Sequence, residues 1–246
     1  IYLPLDDRRH YVAWSNATKD DFAEGYWRGL WDWLDAGGGE AVVGYLQGVD
    51  LSGFNPKAKS PAAAGGLWQF ISETGRRYGL TVNRRVDERN QPDKATDAAL
   101  SYLSDLHDRF GSWYLAAAAY NTGENRVDRI VREKAGGRFG DESVFWQISS
   151  SLPSETRDYV PVMLAMAHIG KEPAKYGFSS LRLQEPLAFD EMTVPGSTPL
   201  ADVAKNIGVE PEVLYELNPH LIKQQTPPNR EWSVRIPVTT DKEQLA

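Results

Sequence analysis

Cysteine is absent from this chain, which excludes disulfides and thiolate metal sites. The four histidines, His10, His107, His168 and His220, are scattered without a His-x-x-x-His spacing, so neither a metal nor a cofactor is expected. No Gly-x-Ser-x-Gly elbow occurs. Gly37–Gly39 and Gly65–Gly66 lack the following Lys-Ser/Thr of a phosphate loop. A run of about eighteen apolar residues is also missing, so no helix spanning a membrane is expected. Excess positive charge is lacking too. The net charge of −7 argues against wrapping nucleic acid or an anionic membrane surface, and no nucleic-acid partner is expected.

What remains is a foldable chain of 246 residues, 41% hydrophobic and 25% charged, enough for one large domain or a domain plus a small module. It opens at Ile1 without a signal-like segment, which reads as a mature product or a fragment. Residues 1–50 form a first, aromatic-rich block. Tyr26, Trp27, Leu30, Trp31 and Leu34 recur at helical spacing, and Gly37-Gly38-Gly39 stops that helix. The tryptophan stripe reads either as core packing or as a platform for stacking sugars.

The second block, residues 52–178, reads as mostly helical. Gly/Pro/Ser punctuation in SGFNPKAKSPAAAGGLWQ is followed by a helix expected to start at GLWQF and to stop at Gly75 and Gly79. Gly65 and Gly66 let the backbone pass close to something. Ala95, Ala98, Ala99, Tyr102, Leu103, Leu106 and Phe110 share one face of a helix expected from about Lys94 to Phe110. SWYLAAAAYNTGENRVDRIVREKAGG reads as a helix interrupted at Asn121–Gly123. ETRDYVPVMLAMAHI reads as another, with Ser154 as its cap. Residues 186–237 change rhythm to strand, helix, helix, strand.

Three ordered stretches carry a resemblance: SGFNPKA…GLWQF, AAYNTGENRV at 118–127 and LPSETRDYVPVMLA at 152–165. Together they resemble the lytic transglycosylases of bacterial cell walls, of the membrane-bound lytic murein transglycosylase D type. The terminal strand–helix–helix–strand unit, ending LNP…RIPV, resembles a degenerate LysM-like module; a small α/β cap over the helical domain is the alternative. The resemblance implies a mainly α fold, with a lysozyme-like helical domain at 51–180 and a small α/β module at 186–240. Residues 1–50 resemble instead a segment of phage and plasmid primase-helicase proteins, and carry no catalytic motif.

By the same resemblance, the substrate is the peptidoglycan glycan strand, cleaved in the bacterial cell envelope between N-acetylmuramic acid and N-acetylglucosamine with formation of a 1,6-anhydro ring. Ser52, Gln69, Tyr120, Asn121 and Tyr159 match substrate-binding positions. The family's catalytic Glu has no direct counterpart here, because the chain reads Asp50-Leu51-Ser52. Leu51 stands in the acid's place without a gap; Asp50 does so with a one-residue insertion, and is the candidate catalytic acid. Such an acid must be neutral at working pH, which needs a partly apolar pocket of the kind Trp68 and Phe70 offer. Asp50 as a solvated helix-end acid is the alternative. Glu40, Glu73 and Glu124 are further carboxylates. Glu124 matches an acid that organises a loop. The functional alternative is a glycan-binding pseudoenzyme that keeps the binding groups and lacks the acid.

Overall fold

The computed structural model describes residues 57, 59–60, 63–176 and 188–238. The first block with its tryptophan stripe, its primase-helicase resemblance, Glu40, Asp50, Leu51 and Ser52 therefore lie outside the described residues. The described residues separate into two compact units, one holding those from Leu100 to 176, the other those up to Ala99 together with those from 188 onward.

The Leu100-to-176 unit is helical. It contains the later turns of α2 (Pro92–Phe110), then α3 (Trp113–Thr122), α4 (Glu124–Ala135), α5 (Ser143–Ile148) and α6 (Ser154–Lys171). Helix α3 is its axis: Tyr114 to Ala119 are all buried, and α4, α5 and α6 pack around it. Four consecutive alanines, Ala116–Ala119, suit that position, because they favour the helix and leave room for neighbours on every side. Phe110, Leu115, Val127, Val131, Val144, Phe145, Ile148 and Val160 are fully buried in its core. Gly123, at φ 97°, divides α3 from α4, a conformation that favours glycine.

The other unit starts with α1 (Ser72–Arg77) and includes a single 3₁₀ turn, Glu88–Asn90, before the first turns of α2. Pro92 opens α2, where a missing N–H costs nothing. The unit ends in β1 (Asp190–Val194), α7 (Leu200–Ile207), α8 (Pro211–Leu217) and β2 (Trp232–Ile236). The strands pair antiparallel, Asp190 opposite Ile236 and Val194 opposite Trp232. The strand–helix–helix–strand rhythm is borne out. Asn218 explains the Leu-Asn-Pro signal: its Nδ2 donates to Leu214 O (2.9 Å) and Arg235 O (2.8 Å) while its Oδ1 accepts from Arg235 N (2.9 Å). One buried amide thus ties the end of α8 to β2. The module's core of Val194, Leu200, Val203, Leu214, Leu221, Val234 and Ile236 also takes in Val86, from far earlier in the chain.

Two local expectations are corrected. Residues 66–69 form a turn rather than a helix; α1 begins only at Ser72, runs through Gly75 and stops before Gly79. Positive φ at Gly66 (79°) and Gln69 (50°) is incompatible with a helix there. Ser154 is the first residue of α6, not its cap; Pro153 holds the cap position, with no side-chain cap bond.

His220 is buried, and its pKa falls to about 4 through desolvation, aided by the nearby charges of Arg235 and Lys94 and opposed by Glu88 and Asp93. A histidine pKa lowered in this way leaves stability level above the ordinary value of 6.5 and costs stability as pH falls toward 4, because the unfolded chain binds the proton first. Denaturant unfolding between those limits should show a loss of about 3 kcal/mol by the acid end. His220→Gln should remove most of that slope; an unchanged slope would show that another group titrates. Glu88 and Asp93, also lowered, lose their contributions only below 4.5 and 3.8.

Candidate functional site

The turn carrying Gln69 is held from outside itself. Gly65 N donates to Phe70 O (2.9 Å) and Gln69 N to Gly66 O (3.3 Å), closing a tight loop. Side chains alternate along it: Leu67, Gln69 and Ile71 are exposed, Trp68 is half-buried and Phe70 is buried. The Trp68 indole N–H donates to Thr96 Oγ1 (2.8 Å), and Gln69 Nε2 donates back to Gly66 O (2.6 Å). A non-glycine residue at φ 50° is uncommon and costs on the order of 1 kcal/mol, so such a turn persists where its surroundings fix it.

Arg89 supplies the fixing. Its Nη1 donates to Ala63 O (3.0 Å) and to Phe70 O (2.9 Å), one carbonyl at each end of the turn. Its Nε and Nη2 grip both carboxylate oxygens of Asp87 at 2.8 and 2.7 Å, with both side chains almost wholly buried. The close approach foreseen at the glycine pair is to this residue. A Cβ on Gly66 would lie 1.7 Å from Arg89 O, and one on Gly65 would meet the guanidinium at 3.1 Å. Glu88, beside the pair, is drawn upward by burial. Hydrogen bonds from Lys94 (2.5 Å) and Thr81 N (2.6 Å) outweigh this and keep its carboxyl below the usual range.

In the helical unit, Tyr120 and Asn121 sit at the C-terminal end of α3, and Tyr159 lies in the second turn of α6. The Tyr120 ring lies 5.3 Å from that of Tyr102, centroid to centroid. Burial pushes the Tyr120 phenol well above its ordinary pKa, and the neighbouring Tyr159 and Tyr102 add to the shift. Tyr159 moves the same way through burial of the covered part of its ring, with 37% of the residue exposed. Both are therefore neutral hydroxyls at neutral pH, able to donate hydrogen bonds and unsuited to act as bases. Asn121 Oδ1 accepts from Thr156 Oγ1 (2.7 Å), and its Nδ2 reaches Glu155 Oε1 (3.4 Å) at the start of α6. Glu124 Oε2 accepts from the Tyr102 hydroxyl (2.8 Å), the placement of a loop-organising acid.

The start of α3 is anchored by a residue that the sequence did not flag. Glu142 accepts from Ser112 Oγ (2.5 Å), Trp113 N (2.9 Å) and Tyr114 N (2.9 Å), a carboxylate against the positive end of the helix that bears Tyr120 and Asn121. Asp87 and Arg89 were missed for the same reason. All three sit in loop or 3₁₀ segments without hydrophobic period, where charge reads as solvated surface. The one available hint was the Asp-x-Arg spacing directly before a Pro-initiated helix.

Tyr120, Asn121 and Tyr159 thus belong to one unit and Tyr120 senses Tyr159, whereas Gln69 is positioned within the other unit. Asp50 and Ser52 lie outside the described residues. Among the described residues no cluster of three or more His, Asp or Glu is arranged to hold a metal. The glycine contact is directly testable. Gly66→Ala should destabilise the protein by more than about 2 kcal/mol in denaturant unfolding, since it combines a backbone clash with a positive φ. A change within about 0.5 kcal/mol would mean that the turn and Arg89 do not touch.

Residues 51–139 match the family model described as the transglycosylase SLT domain, and residues 188–244 the model for the lytic transglycosylase MltD LysM-like domain. The chain is 38% identical over 169 residues to the membrane-bound lytic murein transglycosylase D of Escherichia coli K12, covering 68% of this chain and 36% of that protein. It is 31% identical over 158 residues to the soluble lytic murein transglycosylase of Salmonella typhimurium, covering 55% and 24%. A solved lytic transglycosylase Slt from Pseudomonas aeruginosa, an inactive mutant, aligns at 30% identity and TM-score 0.40, covering 51% of this chain and 20% of its own. The chain therefore spans about a third or less of the length of these curated relatives. Within that span the assignment is plain: residues 51–139 belong to the SLT transglycosylase domain family, and residues 188–244 to the LysM-like domain family of MltD transglycosylases.

Proposed function

We propose that this chain is a peptidoglycan lytic transglycosylase, cleaving the bond between N-acetylmuramic acid and N-acetylglucosamine and leaving a 1,6-anhydro-muramoyl end. The observation that carries this reading is the continuous SLT match across residues 51–139, which includes both the clamped Gln69 turn and the Tyr120-Asn121 helix end. The work belongs in the bacterial cell envelope, where the glycan strands are. Residues 188–238 would add grip on N-acetylglucosamine units.

In this chemistry one acid serves twice. It protonates the glycosidic oxygen as the C1–O bond breaks. It then takes the proton of the muramoyl 6-hydroxyl as that oxygen bonds to C1, so no water enters. Tyr120 and Tyr159 stay protonated and do not fill that role, and Glu124 is tethered to Tyr102. The acid is then sought in Asp50-Leu51-Ser52, with Asp50 as the candidate and Ser52 beside it. Ser52, Gln69, Tyr120, Asn121 and Tyr159 are assigned to binding. Asp is one methylene shorter than Glu, and a misplacement of about 1 Å in a reacting group costs on the order of a hundredfold. Turnover slower than binding would imply is therefore expected. Leu51 at the ungapped acid position also favours a second reading, glycan binding without cleavage.

Purified peptidoglycan incubated with the parent chain, Asp50→Asn and Leu51→Glu separates the two, with 1,6-anhydro-muropeptides read by mass spectrometry. The parent should release them slowly, Asp50→Asn should fall by about a hundredfold or more, and Leu51→Glu should exceed the parent. Retention on peptidoglycan with no anhydro product from the parent would favour the binding-only reading. Reducing muramic-acid ends in place of anhydro ends would overturn the transglycosylase reading.

A further inference from the structure

The segment that holds the Gln69 turn is itself held by the C-terminal module. Asp87 N donates to His220 O (2.9 Å), and Ile222 N donates to Arg85 O (3.0 Å). Val86, between these two bonds, bridges to Leu221 and is 1% exposed in the module's core. Four residues beyond Arg89, Asp93 pairs with Arg235, a buried residue whose guanidinium lies 4.2 Å from the Phe189 ring centroid. Asn90 Nδ2 adds a long bond to Pro219 O (3.5 Å). The module thus grips residues 85–93 on both sides of Arg89. Arg89 in turn spans the Gln69 turn through Ala63 O and Phe70 O.

We propose that the LysM-like module is a brace for the Gln69 turn, acting through the relay His220 O to Asp87 to Arg89, with Asp87 and Arg89 as positioning residues for Gln69. A module that only gripped sugar would work from the end of a tether. This one supplies core, backbone bonds and an ion pair to the segment on which the turn depends. The turn needs such support, because Gln69 sits at positive φ, a backbone that persists where its surroundings fix it. The relay is also selective in chemistry. Arg89 uses Nε and Nη2 on Asp87 and Nη1 on two carbonyls at once, a planar fork that a lysine ammonium does not reproduce. Loosening the module is therefore transmitted to Gln69, and the module sets how well that residue is placed for substrate.

The functional half of this proposal rests on the transglycosylase reading; the mechanical half does not. Native-state hydrogen exchange is measured on the full chain for the parent, Arg89→Lys and Leu221→Val. Leu221→Val trims one methylene group from the module core next to His220 and is mild enough to fold. Both variants should speed exchange at the Gly65 amide, which donates to Phe70 O, by tenfold or more. Leu221→Val should also speed exchange at Asp87, and α3 amides should be unaffected in both. Faster exchange at Asp87 in Leu221→Val with an unchanged Gly65 amide would overturn the brace. Kinetics on glycan strands supply the second readout: Arg89→Lys should raise KM at least fivefold with kcat within twofold. An unchanged KM in a variant whose turn has loosened would overturn the positioning role. A parent chain that yields no anhydro product refutes the transglycosylase reading and leaves the exchange result standing.

Discussion

A guanidinium buried with its counter-charge fixes the part of this molecule that sequence motifs mark as functional. Burying Arg89 would cost several kcal/mol if it were unpaired, and Asp87 offsets that through two hydrogen bonds in the geometry that suits a planar fork. The Nη1 nitrogen of Arg89 donates to two carbonyls that bracket the Gln69 turn. Much follows from this one group. Gly66 must be glycine because its Cβ would overlap the Arg89 carbonyl, and Gly65 must be small because the guanidinium lies over it. The turn's unusual backbone then persists because both of its ends are fastened.

The fastening also gives the glycine-rich motif a physical reading. A pair of glycines ahead of Leu-Trp-Gln suggests a loop built for a ligand to approach closely. What approaches here is the protein's own arginine. The exposed face left over presents Leu67, Gln69 and Ile71, while Phe70 is buried and the Trp68 indole is bonded to Thr96. In the helical unit the same division of labour recurs. Glu142 anchors the start of α3, Asn121 and Glu124 organise its far end, and the phenols of Tyr120 and Tyr159 beside them stay protonated.

Much of this was legible in the sequence. The alanine and leucine period gave α2, the Asn121–Gly123 interruption gave the α3–α4 break, and strand–helix–helix–strand described the terminal module. Illegible parts share a cause. Gly66-Leu67-Trp68-Gln69 has helix-forming residues but forms a turn, because tertiary bonds from Arg89 outweigh local propensity. Ser154 looks like a cap, yet Pro153 takes that position. Asp87, Arg89 and Glu142 are charged residues in short irregular segments, and nothing local distinguishes a buried charge from a solvated one. Val86 belongs to the core of a module whose other members begin more than a hundred residues later, a connection that no local pattern encodes.

The most direct test of this account is a double-mutant cycle on Asp87 and Arg89, with Asp87→Asn, Arg89→Met and the pair compared by denaturant unfolding of the full chain. If a buried pair organises the turn, each single change strands the other group and should cost about 3–5 kcal/mol, while the double change should cost at least about 2 kcal/mol less than their sum. Single effects that add to within about 0.5 kcal/mol would show that the two residues act independently, and would contradict the account.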